Sequence, residues 1–114
     1  MFNPFKRKKP HFPTIQEKAV ADVLAERARQ DEKWGEQNHD PLVWVPILTE
    51  EVGEVSKAVL EVLNEYDGEH IGMQIQRLRA YRTEMVQVAA VALSAIEAYD
   101  RLTWMTRETG VRYF

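Results

Sequence analysis

Glu50, Glu51 and Glu54 lie in the stretch Leu48-Thr49-Glu50-Glu51-Val52-Gly53-Glu54-Val55, which puts three carboxylates within about one turn of a helix. At helical spacing Glu51 and Glu54 flank one side, and Glu50 lies behind Glu54 at i,i+4. Like charges so placed destabilise a helix by roughly 0.2–0.5 kcal/mol per pair. A hard divalent cation reverses that sign, because Mg²⁺ takes oxygen ligands from a few carboxylates and keeps waters and substrate phosphates in its remaining positions. The other reading is a solvated acidic face on an amphipathic helix. Both stay open on these residues alone.

A further acidic position follows at Glu84-Met85-Val86-Gln87, just ahead of the apolar run Val88-Ala89-Ala90-Val91-Ala92. Glu50-Glu51-Val52-Gly53-Glu54 on one helix and Glu84-x-x-Gln87 on the next resemble the signature of the all-α nucleoside triphosphate pyrophosphohydrolase superfamily, in its MazG-like branch. That signature is Glu-Glu-x-x-Glu followed by Glu-x-x-Asp, and the resemblance spans about residues 29–101. His39-Asp40-Pro41 also resembles the His-x-Pro that precedes the acidic helix in related dCTP-hydrolysing members. The resemblance implies Mg²⁺, with Mn²⁺ as a substitute, held against a nucleotide's phosphates. It implies attack by water between the α- and β-phosphates, giving a nucleoside monophosphate and pyrophosphate. Glu51, Glu54, Glu84 and Gln87 are then the metal ligands, and Glu50 is an outer residue that takes a proton from the attacking water.

Gln87 departs from the pattern, because the family has Asp there. A literal Glu-x-x-Asp exists at Glu97-Ala98-Tyr99-Asp100. Glu97, however, lies about 140° around the helix from Glu84 and some 20 Å further along it. No apolar run follows that pair. Glu97 and Asp100 are therefore expected at the surface or an interface, and Gln87 in the site. A neutral amide is an acceptable ligand for a hard cation but carries no charge, so weaker metal affinity is expected. Of the basic and aromatic residues near the motif, Lys57 and His39 are the expected substrate contacts. Trp34 and Trp44 read more simply as core, and Arg77, Arg79 and Arg82 as helix-surface charge. A Gly-rich phosphate loop, a Ser-His-Asp arrangement and a His pair at i,i+4 are all lacking.

Three helices must position these groups. Thr14 and Glu17 form a capping box that starts the first helix, whose apolar columns are Ile15, Ala19, Val23 and Val20, Leu24, Ala28. It is predicted to run to about Lys33, with Gly35 ending it. Asp40 and Pro41 suit a helix start, but Pro46 puts the start of the main second helix near Val45 or Pro46, after a short turn at residues 42–44. That helix carries Leu48, Val52, Val55, Val59, Val62, Leu63 and Tyr66, and stops at Asp67-Gly68. The third begins near Gly72 and reaches about Leu102, with a middle that is apolar nearly all round. The fold class expected is all-α, a bundle of three main helices per chain completed by oligomerisation as a homodimer or tetramer.

The 114 residues suit one domain, with 45% hydrophobic content and no cysteine, so no thiolate metal site is possible. Four of the 15 basic residues sit at positions 6 to 9, leaving 11 against 18 acidic residues in the rest of the chain. So acidic a body is a poor match for a nucleic-acid backbone. Lacking an apolar segment long enough for a membrane span, the chain is expected to be soluble and cytoplasmic. Residues 1–13 read as a basic disordered tail, 14–103 as the domain, and 104–114 as an aromatic tail that packs on the bundle or a partner subunit. Two rivals accompany the hydrolase reading: a nucleotide-binding regulatory relative weakened by Gln87, and a structural helical oligomer.

Overall fold

The computed structural model describes residues 4–5, 10–64 and 78–109. Among them there are three helices and no strand: α1 (Ile15–Trp34), α2 (Pro41–Asn64) and α3 (Arg79–Thr109). The predicted end of the second helix at Asp67-Gly68 and the start of the third near Gly72 lie outside the described residues, as do positions 1–3, 6–9 and 110–114.

Local chemistry accounts for the ends of α1. Thr14 Oγ1 accepts from the Glu17 N–H at 3.1 Å, and Glu17 Oε1 accepts from the Thr14 N–H at 3.2 Å, so both free donors of the first turn are satisfied. At the other end Gly35 has φ 74°, a conformation costly for other residues, and donates its N–H to Asp31 O at 2.8 Å.

The second helix begins earlier than its sequence suggests. Asp40 Oδ1 accepts from the Leu42 N–H at 2.7 Å, and Asp40 O accepts from Val43 and Trp44, which nucleates a helix from Pro41 straight through Pro46. Pro46 removes the donor that would meet Leu42 O. That loss is tolerable because Leu42 is exposed, so its carbonyl is open to water. The third helix reaches past the expected end near Leu102, running to Thr109.

In the arrangement of the three, α3 lies against both α2 and α1. The α2–α3 seam is apolar. Trp44, Val91 and Ala98 are buried together, with Ile47, Leu48 and Ala95 packed against them, and the small Ala90 and Ser94 of α3 are buried as well. The α1–α3 seam differs. Of the two apolar columns on α1, Val20 and Leu24 face solvent, while Ala19 and Val23 are half-buried and lead, four residues on, to Arg27. Arg27 is the buried residue of α1. Its guanidinium donates to Glu97 Oε1 at 2.8 Å and Oε2 at 3.3 Å on α3, and to Asp31 at 2.9 and 3.2 Å on its own helix. Arg82 to Asp22 at 2.9 Å adds a second tie between these helices. Arg101 of α3 reaches the α1–α2 connection at Asn38 Oδ1 and Gln37 O.

The result is flat, about 59 × 58 × 20 Å. Its radius of gyration of 20.1 Å exceeds the about 13 Å of a compact domain of this length. Apolar side chains stay exposed on both long helices, among them Val45, Val52 and Leu60 on α2 and Met85, Ile96 and Tyr99 on α3.

Removing the guanidinium strands two partly solvated carboxylates, so Arg27→Ala is expected to cost about 1–3 kcal/mol. Leu24→Ala, on the solvent side of the same helix, should stay within about 0.5 kcal/mol. Urea unfolding of the two variants checks the contrast, and equal midpoints would mean that α1 is held by its apolar column after all.

Candidate active site

The acidic motif occupies the middle of α2. Val55 and Ala58 face inward there, which turns Glu51 to the seam and leaves Glu50 and Glu54 exposed. Glu51 is half-buried. Its carboxyl is pushed above the usual carboxylate range, first by burial and then by the negative charges of Glu84, Glu50, Glu54 and Glu26. Three of those four are the motif carboxylates singled out from the sequence, so the fold brings Glu84 of α3 to Glu51 of α2 across the seam. Gln87, one turn beyond Glu84, is half-buried and lines the same cavity as Glu51.

That cavity measures about 340 Å³ and is walled by all three helices. Glu51 and Ile47 come from α2, Gln87, Val91 and Ser94 from α3, and Glu26, Arg29, Gln30, Lys33 and Trp34 from α1. It therefore opposes two signs of charge. Arg29 and Lys33, four residues apart, share one face of α1, and Lys33 Nζ sits 4.6 Å from the centre of the Trp34 ring. The sequence places none of these α1 residues in the site, and Trp34, which reads as core, is exposed instead. The available signal was the i,i+3/i+4 set Glu26, Arg29, Gln30 and Lys33, which reads in a sequence as ordinary surface charge.

Of the two substrate contacts expected, neither lines this cavity. Lys57 is exposed, because six residues past Glu51 it points about 120° away. His39 lines a different, mostly apolar cavity of about 300 Å³, with Pro41, Trp44, Val45, Leu48, Ala95, Ile96 and Tyr99. Its ring meets Trp44 edge-on, with centroids 5.0 Å apart. Trp44 belongs to the walls of both cavities. Its Nε1 is buried with no hydrogen-bond partner among the described residues, an arrangement that costs about 1–3 kcal/mol unless a donor of this kind finds an acceptor.

The second acidic pair is placed elsewhere. Glu97 is engaged by Arg27, and Asp100 is exposed.

As a metal site the donors suit a hard cation in type, all being oxygen. Among the described residues, no three His, Asp or Glu side chains stand close enough together to hold an ion as they are placed. No helix among the described residues is long and apolar enough to cross a membrane. Comparisons with protein-family models, curated proteins and solved structures find no match to this chain.

The raised pKa of Glu51 has a definite sign. Below the ordinary carboxylate range the group is protonated in folded and unfolded chains alike and has no effect. As pH rises through its raised folded-state pKa, the folded chain bears the cost of ionising it beside its neighbours. Glu51→Gln should therefore raise the melting temperature at pH 7.5 in the presence of a chelator. If the relief is about 0.5 kcal/mol, the rise is roughly 2–4 °C. The gain should vanish near pH 4, and a variant that melts no higher than wild type at neutral pH would refute the crowding of these carboxylates.

Proposed function

We propose that the chain is a Mg²⁺-dependent nucleoside triphosphate pyrophosphohydrolase of the MazG-like kind, converting a nucleoside triphosphate and water to the monophosphate and pyrophosphate. The observation that carries this reading is that half-buried Glu51 shares a cavity with Gln87; its carboxyl is pushed up first by burial and then by the charges of Glu84, Glu50 and Glu54, and a cation removes that repulsion. Glu51, Glu54 and Glu84 would hold the ion through carboxylate oxygens, with Gln87 offering an amide oxygen. Holding it requires these side chains to converge further than they do as placed. When bound, Mg²⁺ neutralises phosphate charge and acidifies a coordinated water.

The chain's own residues supply the rest. Glu50, exposed at the rim, is suited to take the proton from the attacking water. Arg29 and Lys33 give one wall a positive potential that draws a polyphosphate in, and the exposed Trp34 ring beside them offers a face on which a base can stack. The N–H of Trp44 is a donor in need of an acceptor, and a ligand carbonyl would satisfy it.

Gln87 favours a weakened enzyme. Three carboxylates and an amide grip a divalent ion less firmly than four carboxylates do, so turnover is expected to be slow or to need high Mg²⁺. Gln87→Asp should strengthen the metal contact by about 1 to 3 kcal/mol and raise activity or lower its Mg²⁺ requirement. Glu54→Gln and Glu84→Gln should abolish pyrophosphate release from a panel of nucleoside and deoxynucleoside triphosphates, whereas Asp100→Asn should change little. Loss in Asp100→Asn with none in Glu84→Gln would move the site to the other acidic pair, and no release from any triphosphate with Mg²⁺ or Mn²⁺ would end the hydrolase reading.

The same proposal includes self-association. A slab with Val45, Val52, Leu60, Ile96 and Tyr99 at its surface leaves more apolar area in water than an isolated small domain favours, and a second copy covering α2 and α3 removes it. Light scattering should give a mass of at least two chains of 13.3 kDa, and a monomer throughout the micromolar range would contradict this.

A further inference from the structure

Glu26 and Arg29 form the tightest ion pair lining the cavity. Arg29 Nη2 and Nε donate to the two carboxylate oxygens at 2.6 and 2.7 Å, and Gln30 Nε2 adds a contact of 3.3 Å to Oε1. The two partners differ sharply in exposure. The Glu26 side chain is 12% exposed and that of Arg29 is 56%. A carboxylate so nearly enclosed needs a counter-charge, and among the described residues Arg29 is the cation bonded to it.

Neighbouring groups prevent this from being an ordinary surface pair. Glu26 adjoins Arg27, which is clamped to α3 through Glu97, so its backbone position is fixed. It is also the one α1 carboxylate whose charge reaches Glu51. Arg29 sits at the cavity wall on a flexible, solvated stem, and a guanidinium binds phosphate in the same forked fashion as carboxylate. When Arg29 leaves, Gln30 still donates to Glu26 and the charge of Lys33 still reaches it, but the forked contact to a cation is lost.

We propose that the Glu26–Arg29 pair is a counter-ion lock that changes partners when a polyphosphate enters. Arg29 leaves Glu26 for a phosphate, and Glu26 turns to the divalent cation that accompanies the polyphosphate, becoming the α1 member of the carboxylate set around Glu51. The inference rests on the pyrophosphohydrolase reading of this cavity. It assigns α1 a binding role that the helix-two and helix-three motifs do not include.

Calorimetric titration of the full chain with inorganic tripolyphosphate, with and without Mg²⁺ at constant ionic strength, tests it. Arg29→Gln should weaken binding about tenfold or more in both conditions, as expected for a lost charge-assisted contact. Arg29→Lys should fall between that variant and wild type. Glu26→Gln should do two opposite things: tighten metal-free binding about threefold or more, by releasing Arg29, and shrink the enhancement that Mg²⁺ gives. Melting curves verify that each variant is folded. Arg29→Gln within about twofold of wild type, or Glu26→Gln weakening metal-free binding, overturns the lock. If in that case Glu51→Gln still removes the Mg²⁺ enhancement, the lock alone has failed and the hydrolase reading stands. No Mg²⁺-dependent binding of tripolyphosphate by the wild type, together with no hydrolysis of any triphosphate, defeats both.

Discussion

Arg27 is the fixed point of this structure. A helix whose apolar columns are largely solvated does not dock by burying area, and α1 is placed instead by a guanidinium enclosed between Asp31 and Glu97. The geometry of that fork sets both the height and the rotation of α1 against α3. Glu26 is its immediate neighbour and Arg29 lies two residues on, so the one contact orients every α1 side chain at the cavity. The pair also engages Glu97, the first residue of the literal Glu-x-x-Asp in the sequence.

The site gathers opposing charges. Around a cavity of about 340 Å³, Glu51 comes from α2 and the cations Arg29 and Lys33 from α1, which also contributes the carboxylate Glu26. The two walls differ in balance: Glu51 is pushed toward protonation by burial and then by its acidic neighbours, while Arg29 is held by Glu26, which it keeps below the usual carboxylate range. A ligand carrying both signs, an anionic chain with a divalent ion, satisfies both walls together. Gln87 of α3 lines the same cavity and adds no charge to it.

Much of this was legible in advance because it depends on spacing along single helices. The capping box at Thr14 and Glu17, the glycine stop at Gly35, the inward face of α2 and the separation of Glu84 from Glu97 all follow from 3.6 residues per turn. Pro46 was read as a boundary, since a proline in isolation argues for one. Asp40, by capping the turn before it, overrides that preference. The contribution of α1 was not legible, because a row of Glu, Arg, Gln and Lys gives no sign of which cavity it will line. Only the docking of α1 settles that, and the docking depends on an ion pair between residues 70 positions apart. His39 and Lys57, near the motif in sequence, do not line this cavity, Lys57 being exposed and His39 lining the other one.

The two seams of α3 are made of different materials. Trp44, Val91 and Ala98 hold α2 by excluding water, an attraction that weakens on cooling. Arg27 and Arg82 hold α1 by charge, and the exposed one of these contacts is screened as ionic strength rises. Cold and concentrated salt therefore act on opposite sides of the same helix. The chain has no single weakest joint: which helix loosens first is decided by the solution around it.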